Sequence, residues 1–373
     1  MTTYVNEAYA ELGLRPVINA AATLTKLGGS IVAPPVLPAM EAASRNFVDV
    51  FELHRAVGQK LAKLTGNEDA LITSGAAAAI TLAVIGCICG KNPVALEDLP
   101  YLDKTGEKTV IIYGSQRNAY DYAVRQVGAR IVEIGPTLDE LEAAIDERTA
   151  CVLWFAGVLS IGSPPLEQVV ELAHRHDVPV VVDAAAQIPP VSSLWHFTTE
   201  AGADAALFSG GKGLRGPQST GLLVGKEWLI AAARANGAPN HSLGRGLKTG
   251  KEELLGLVAA IEWTMQQDEP AIIGAYEASV RKWIDGLSGF AGVTVERGYP
   301  SEAGQPHGRA IVHIGPDSGW TRDDLVAALW DLDPRIAVSA HETDAIALNP
   351  QTLLEGEDDI VLGEIRRLLK TKE

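Results

Sequence analysis

A lysine set among glycines has the strongest chemical implication of any residue in this chain. Lys212 stands in the segment SGGKGLRGPQ, directly after the apolar run 205–208. Flanking glycines let a flat ligand approach closely, and loss of solvation favours the neutral, nucleophilic amine. A nucleotide phosphate is an alternative ligand for such a loop, but Gly213 follows the lysine where a P-loop carries Ser or Thr. The segment therefore predicts a nucleophilic lysine in a ligand pocket.

An aspartate ends a second apolar run, residues 179–183, which reads PVVVD. A carboxylate at the end of a buried strand needs a cation, a metal ion or several hydrogen-bond donors. A protonated pyridine nitrogen is one such cation, and small residues after Asp183, such as Ala185, leave room for a flat ring. A structural aspartate that caps a loop fits the same residues, so this segment alone leaves both interpretations open.

A candidate phosphate-binding turn precedes both segments in the chain. The run 69–73 is followed by Ser74, Gly75 and Ala76, and a helix of small residues begins there. Unpaired N–H groups at a helix N-terminus suit a phosphate, and the hydroxyl of Ser209 could join them. A serine that only caps the helix is the alternative interpretation.

These residues must be positioned by the elements around them, and those elements alternate between strands and helices. Short apolar runs occur at 69–73, 109–113, 130–134, 150–155, 179–183, 205–208 and 221–224, with helical patterns such as 138–146 and 166–176 between them. The runs are continuously apolar, which is typical of strands covered on both faces. An α/β fold with a mostly parallel sheet is predicted, and ligands collect at the carboxyl ends of such strands.

The pattern changes near residue 267, where a polar segment precedes a long helix, two shorter strands and two further helices. We therefore expect an N-terminal segment over residues 1–30, a large α/β domain over 31–266 and a small α+β domain over 267–373. The N-terminal segment is expected to pack near the small domain.

The spacing of the three segments resembles that of fold-type I pyridoxal phosphate (PLP) enzymes, which have the aminotransferase fold. Asp183 lies 109 residues after Ser74, and Lys212 lies 29 residues after Asp183. The chain is similar to the selenocysteine synthase-like family that also holds the D-glucosaminate-type ammonia-lyases. The matching segments are VINAAATLTKLGGS (17–30), LTGNEDALITSGAAAA (64–79), VVVDAAAQIPP (180–190), SGGKGLRGPQSTGLLVG (209–225) and GRGLKTGKEEL (244–254).

The resemblance implies a role for each candidate residue. Lys212 would form the Schiff base with PLP and move the proton at the substrate Cα, and Asp183 would pair with the pyridine nitrogen. The remaining cofactor contacts it implies are Ser74, Gly75, Ala76 and Ser209 at the phosphate, Gln187 at the ring hydroxyl, Ala185 beside the ring, and Gln116 where relatives stack a His or aromatic ring. Substrate contacts are expected from Asn19, Thr25, Arg117, Arg245 and Lys248. A homodimer or larger homo-oligomer is also implied.

Composition excludes several other classes of protein. The chain of 373 residues carries a formal net charge of −16, which disfavours nucleic-acid partners. Three cysteines are too few for a disulfide framework, and the eight histidines lack ligand spacing, so no metal site is expected. No signal peptide or membrane span is apparent, which predicts a cytoplasmic protein with a small-molecule partner.

PLP chemistry leaves the reaction open. A lyase that removes a β-hydroxyl from a small or sugar-derived hydroxy amino acid, giving a 2-oxo acid and ammonia, is the favoured hypothesis. A racemase or aldolase acting on a similar amino acid is the main alternative. Selenium transfer to seryl-tRNA is disfavoured by the acidic charge. Transamination needs an arginine for the α-carboxylate; Arg335 is a candidate, but the segment ALNPQTL lacks the arginine that relatives often carry there, which weakens this hypothesis.

Overall fold

The computed structural model describes residues 7–372, which divide into two compact units. The large unit comprises Val32–Gln267, and the small unit joins the described residues up to Ile31 with those from Asp268 onward. Residues 1–6 and 373, which belong to the predicted segments 1–30 and 267–373, lie outside the described residues.

The thirteen strands of the described chain are β1 (Val17–Asn19), β2 (Asp69–Thr73), β3 (Thr109–Tyr113), β4 (Arg130–Ile134), β5 (Thr149–Phe155), β6 (Val180–Asp183), β7 (Ala205–Ser209), β8 (Gly221–Gly225), β9 (Val293–Gly298), β10 (Arg309–Ile314), β11 (Arg335–Ala337), β12 (Ser339–His341) and β13 (Ala345–Leu348). The α-helices are α1 (Glu7–Glu11), α2 (Val36–Ser44), α3 (Val50–Thr65), α4 (Ala76–Cys89), α5 (Tyr122–Arg125), α6 (Leu138–Ala144), α7 (Leu166–Arg175), α8 (Ser193–Trp195), α9 (Glu227–Asn236), α10 (Lys251–Thr264), α11 (Glu269–Leu287), α12 (Arg322–Trp330) and α13 (Glu357–Lys370).

A seven-stranded sheet forms the centre of the large unit, in the order β2-β8-β7-β6-β5-β3-β4. Strand β8 runs antiparallel to both of its neighbours, and the other pairs are parallel. Successive valines of β6 point to opposite faces: Val180 and Val182 belong to one apolar core and Val181 to the other. Both faces of the sheet are covered, which explains why its strands are apolar along their length. The predicted fold class is confirmed.

The helix predicted over residues 76–89 is α4, and it is buried on nearly all sides. Its apolar residues pack against α9 and the sheet, because a helix that is apolar all round must be enclosed. Within residues 7–372, no helix combines the length and apolar character that crossing a bilayer requires.

The small unit contains an antiparallel sheet in the order β12-β13-β10-β9 and a separate parallel pair, β1 and β11. Ile18 of β1 lies opposite Ile336, so the N-terminal segment contributes to the core of this unit. Helices α11, α12 and α13 supply the rest of that core, including the fully buried Trp283. Strands β9 and β10 agree with the two predicted runs, whereas the short strands β1, β11, β12 and β13 were not predicted.

Candidate active site

The three segments singled out in the sequence meet at one edge of the large sheet. Thr73, Gly221 and Ser209 are neighbours across β2, β8 and β7. On the next strand, Asp183 is paired with Leu207, two residues before Ser209. Because β2, β6 and β7 all end at this edge, the phosphate turn, the aspartate and the lysine loop converge there.

Asp183 is buried, with 9% of its surface exposed. Its Oδ1 accepts a hydrogen bond of 2.9 Å from the backbone N–H of Ala185. Burial raises the pKa of the carboxyl group to about 6, although the Ala185 hydrogen bond and the charge of Lys212 both act to lower it. A carboxylate destabilised in this way is suited to pair with a cationic ring nitrogen.

The loop that carries Lys212 is folded tightly back on itself. The N–H of Gly216 donates to the carbonyl of Gly210 at 2.7 Å, and the N–H of Arg215 donates to the carbonyl of Lys212 at 2.9 Å. A Cβ on Gly213, the residue after Lys212, would overlap the carbonyl oxygen of Ile188. Gly210 and Gly211, before the lysine, are similarly crowded. Glycine is therefore required here, because neighbouring backbone occupies the side-chain space at Gly211 and Gly213 and the Thr220 side chain occupies it at Gly210.

Thr220 is a residue of this loop that the sequence did not reveal. It is fully buried, and its carbonyl accepts a hydrogen bond of 2.8 Å from the N–H of Gly210. Its hydroxyl donates to the carbonyl of Pro217 at 2.6 Å, which closes the end of the loop. No local pattern marks Thr220, since its role depends on the pairing of β7 with β8.

The turn before α4 has the geometry of an anion site. Gly75 has φ of 97°, in the region that favours glycine, and a Cβ there would meet no atom within 4 Å. In the described structure the N-terminus of α4 has no side-chain cap, so the alternative of a simple serine cap is not what is observed. The hydroxyl of Thr73 donates to the Gly75 carbonyl at 2.9 Å and holds the turn. The uncapped N-terminus of α4 is therefore suited to an anion.

Gln116 is fully buried, and its side-chain amide is used by the protein itself. Its Oε1 accepts from the N–H of Phe155 at 2.7 Å, and its Nε2 donates to the hydroxyl of Ser163 at 2.9 Å. Gln187 is also buried, and its N–H donates to the carbonyl of Ala184 just after β6.

The predicted substrate contacts of the large unit differ in their ion pairing. Arg117 pairs with Asp121 and with Glu133, each at 2.5 Å. Arg245 and Lys248 are exposed on the loop before α10, and within the described chain neither forms an ion pair. These two cations therefore remain available to an anionic ligand.

Asn19 and Thr25 belong to the small unit. Asn19 donates from Nδ2 to the carbonyl of Ala22 at 2.8 Å and accepts from the N–H of Ala21 at 3.0 Å, so its side chain holds a turn. Thr25 begins a short 3-10 helix, Thr25–Leu27.

One group of potential metal ligands occurs among residues 7–372, in the small unit. It consists of His313, Glu342 and Asp344, and the two carboxylates are exposed. His313 lies 3.6 Å from Asp344 and 3.7 Å from Glu296, so ordinary surface ion pairing accounts for the group.

The residues at the sheet edge fit PLP. An uncapped helix N-terminus and Ser209 suit its phosphate, the buried Asp183 suits its ring nitrogen, and Lys212 is half-buried within range of the Asp183 charge. PLP acts as an electron sink that stabilises negative charge at the substrate Cα.

Comparison with known proteins agrees with this geometry. Residues 36–238 match the aminotransferase class-V family. The chain is 30% identical to D-glucosaminate-6-phosphate ammonia lyase of Salmonella typhimurium over 96% of this chain and 97% of the relative. It is 29% identical to 5'-C-glycyluridine monooxygenase-decarboxylase of a Streptomyces species over 95% and 90% of the two chains. The solved structure of D-glucosaminate-6-phosphate ammonia-lyase matches with a TM-score of 0.83 at 29% identity, covering 100% of both chains.

The fold and the site define a PLP-dependent enzyme. More particularly, the chain belongs to the aminotransferase class-V family. The predicted cofactor, fold class and resemblance to the ammonia-lyase group are thereby confirmed.

Gly213→Ala tests whether the crowded lysine loop tolerates a side chain. Because the new Cβ would overlap the carbonyl of Ile188, we expect the melting temperature to fall by about 5 °C or more and PLP affinity to drop about tenfold. Differential scanning fluorimetry and PLP titration measure the two effects. Gly274→Ala is the matched control: it is exposed within α11 and would meet no atom within 4 Å, so stability should rise by about 0.5–1 kcal/mol. Equal effects of the two substitutions would contradict the steric argument.

Proposed function

We propose that this enzyme is an ammonia lyase that acts on a small or sugar-derived hydroxy amino acid and produces a 2-oxo acid. The observation that carries the proposal is the similarity over 96% of the chain to an ammonia lyase, with Lys212 and Asp183 together at the predicted cofactor site. The proposed Schiff-base lysine is Lys212, and the proposed ring-nitrogen partner is Asp183.

Lys212 is the proposed base for the first proton transfer. Its Nζ takes the proton from the substrate Cα, and the charge of Asp183 favours a protonated, electron-withdrawing ring nitrogen. The Cβ–O bond then breaks, and the hydroxyl leaves as water after it gains a proton. A proton is then added at Cβ, which converts the enamine to an imine, and addition of one water at Cα breaks the C–N bond. The net products are ammonia and a 2-oxo acid.

Arg245 and Lys248 are the proposed binding residues for an acidic group of the substrate. Both are exposed cations without an ion-pair partner in the described chain, whereas Arg117 is already balanced by two carboxylates. Arg335, the candidate arginine for transamination, lies over the ring of Trp330 at 4.7 Å from the ring centroid.

Replacing both loop cations tests this assignment. In Arg245→Gln/Lys248→Gln we expect KM for a phosphorylated substrate to rise about 10- to 100-fold with little change in kcat, because binding charge is lost away from the reacting atoms. Lys104→Gln is the control, since Lys104 is an exposed lysine paired with Glu97 at 3.6 Å. A fall in kcat with an unchanged KM would contradict a binding role.

Product analysis tests the proposed reaction. Holoenzyme is incubated with 3-hydroxy amino acids and with D-glucosaminate, with and without a 6-phosphate, and ammonia and 2-oxo acid are measured. Stoichiometric release of both products is expected. Cα–H exchange without ammonia would identify a racemase, and release of an aldehyde would identify an aldolase; either result overturns the lyase proposal.

A homodimer is the proposed assembly, because the resemblance implies it. Light scattering on the holoenzyme should give about twice the monomer mass of 39.5 kDa. A monomer with full activity would overturn this proposal.

A further inference from the structure

The resemblance implies that Gln116 stands where relatives place a ring against the cofactor, but both ends of its side-chain amide are hydrogen-bonded within the protein. We infer that Gln116 is a positioning residue: it holds the carboxyl end of β5 next to Asp183 and does not stack on the cofactor. This inference concerns the cofactor site and is independent of the reaction that the enzyme catalyses.

The side-chain amide of Gln116 is buried and hydrogen-bonded at both ends. None of its surface is exposed, and an unpaired amide in such a place would cost about 1–3 kcal/mol. Oε1 accepts from the N–H of Phe155 at 2.7 Å and Nε2 donates to Ser163 Oγ at 2.9 Å. The backbone carbonyl of Gln116 accepts from Asn118 Nδ2 at 2.9 Å, which fixes the turn that carries it.

The partner of Oε1 is a strand N–H that would otherwise be unpaired. The N–H groups of Val152 and Ala156 both point to β6, so alternation along β5 turns the N–H of Phe155 towards β3. Strand β3 has already ended at Tyr113, where the chain enters a 3-10 helix. Gln116 therefore supplies the acceptor that the backbone of β3 no longer provides.

Two consecutive hydrogen bonds connect this amide to the aspartate. Phe155 is the register partner of Asp183, and the next residue, Ala156, donates its N–H to the carbonyl of Asp183 at 2.9 Å. Loss of the contact between Gln116 and Phe155 would release the end of β5. The backbone of Asp183 would then be less firmly held, and its carboxylate less precisely directed.

Substitutions at Gln116 test the inference through the bound cofactor and not through activity alone. Gln116→Met keeps the volume but removes both hydrogen bonds, so we expect PLP to dissociate about tenfold more readily. The pH midpoint of the visible absorbance change of the holoenzyme should also move by about half a unit or more. Gln116→His separates the two roles: a stacking role predicts equal or tighter PLP binding, and a positioning role predicts weaker binding.

Ser163→Ala is the matched control, because it removes the partner of Nε2 and a contact to Ser115 Oγ but leaves the Phe155 contact intact. It should change neither the PLP affinity nor the pH midpoint. If Gln116→Met does not fold, the same titration is made with Gln116→Asn, whose shorter amide stays polar but does not reach Phe155. An unchanged midpoint in the variant that folds, or PLP binding by Gln116→His that is as tight as or tighter than in the native enzyme, overturns the inference.

Discussion

Lys212→Ala is expected to reduce kcat by at least about 10³-fold and to abolish covalent attachment of the cofactor. The substitution removes the proposed nucleophile and, with it, the group that would carry the proton from the substrate Cα. The rest of the loop should keep its conformation, because backbone hydrogen bonds and the Thr220 hydroxyl remain in place. The visible band that borohydride abolishes in the native enzyme should be absent.

Mass spectrometry after borohydride reduction provides the measurement. In the native protein the cofactor mass should be found on the peptide that contains Lys212. Lys226→Ala is the control, since Lys226 is a surface lysine paired with Glu68 at 2.8 Å, and it should retain the label and the activity. A labelled peptide elsewhere in the chain, or full turnover by Lys212→Ala, would show that another amine holds the cofactor.

Asp183→Asn is expected to have opposite effects on the apoprotein and on cofactor binding. The pKa of Asp183 is raised to about 6 by burial, so between pH 4 and 6 the folded state binds more protons than the unfolded state. The protonated carboxyl group of Asp183 therefore stabilises the folded state at low pH, and this stabilisation is lost as the pH rises through about 6. Removing the charge should stabilise the apoprotein at pH 8 by an amount on the order of 2–3 kcal/mol.

The same substitution should harm the holoenzyme. A neutral amide cannot form an ion pair with the ring nitrogen, so we expect PLP affinity to fall about tenfold or more and kcat to fall about 10²-fold or more. Melting curves of apoprotein and holoprotein at pH 5 and pH 8 measure both effects. The native apoprotein should gain stability on acidification relative to Asp183→Asn, and this difference should disappear when PLP is bound. If the substitution lowers the stability of the apoprotein at pH 8, the buried carboxylate of Asp183 does not destabilise the folded state as we infer.

These two predictions depend on a main-chain frame that joins the strands before Asp183 and Lys212. The N–H of Ala184 donates to Leu207 and that of Ser209 donates to Ala185, so hydrogen bonds join the aspartate strand to the lysine strand. A frame of this kind lowers the cost of ordering the protein when a ligand binds.

The sequence by itself predicted the large sheet and the residues at its edge. Buried parallel strands must be apolar on both faces, so β3, β5 and β6 were recognisable from composition alone. Polar residues that end such strands stand out against the apolar background, which is why Asp183 and Lys212 could be selected. The short strands β1 and β11 could not be predicted, because three residues carry too little pattern and their pairing joins distant parts of the chain.

Tertiary structure alone decided what several of the selected side chains do. Gln116 has the same sequence neighbours whether it stacks on a ring or bonds to Phe155; the outcome depends on where β3 ends relative to β5. Arg117 and Lys248 are both cations in loops, and only the fold places Glu133, a residue of β4, beside the first of them. Local periodicity in the sequence predicts which residues are buried. Hydrogen bonds and ion pairs between segments far apart in the chain depend on distances that only the folded structure sets.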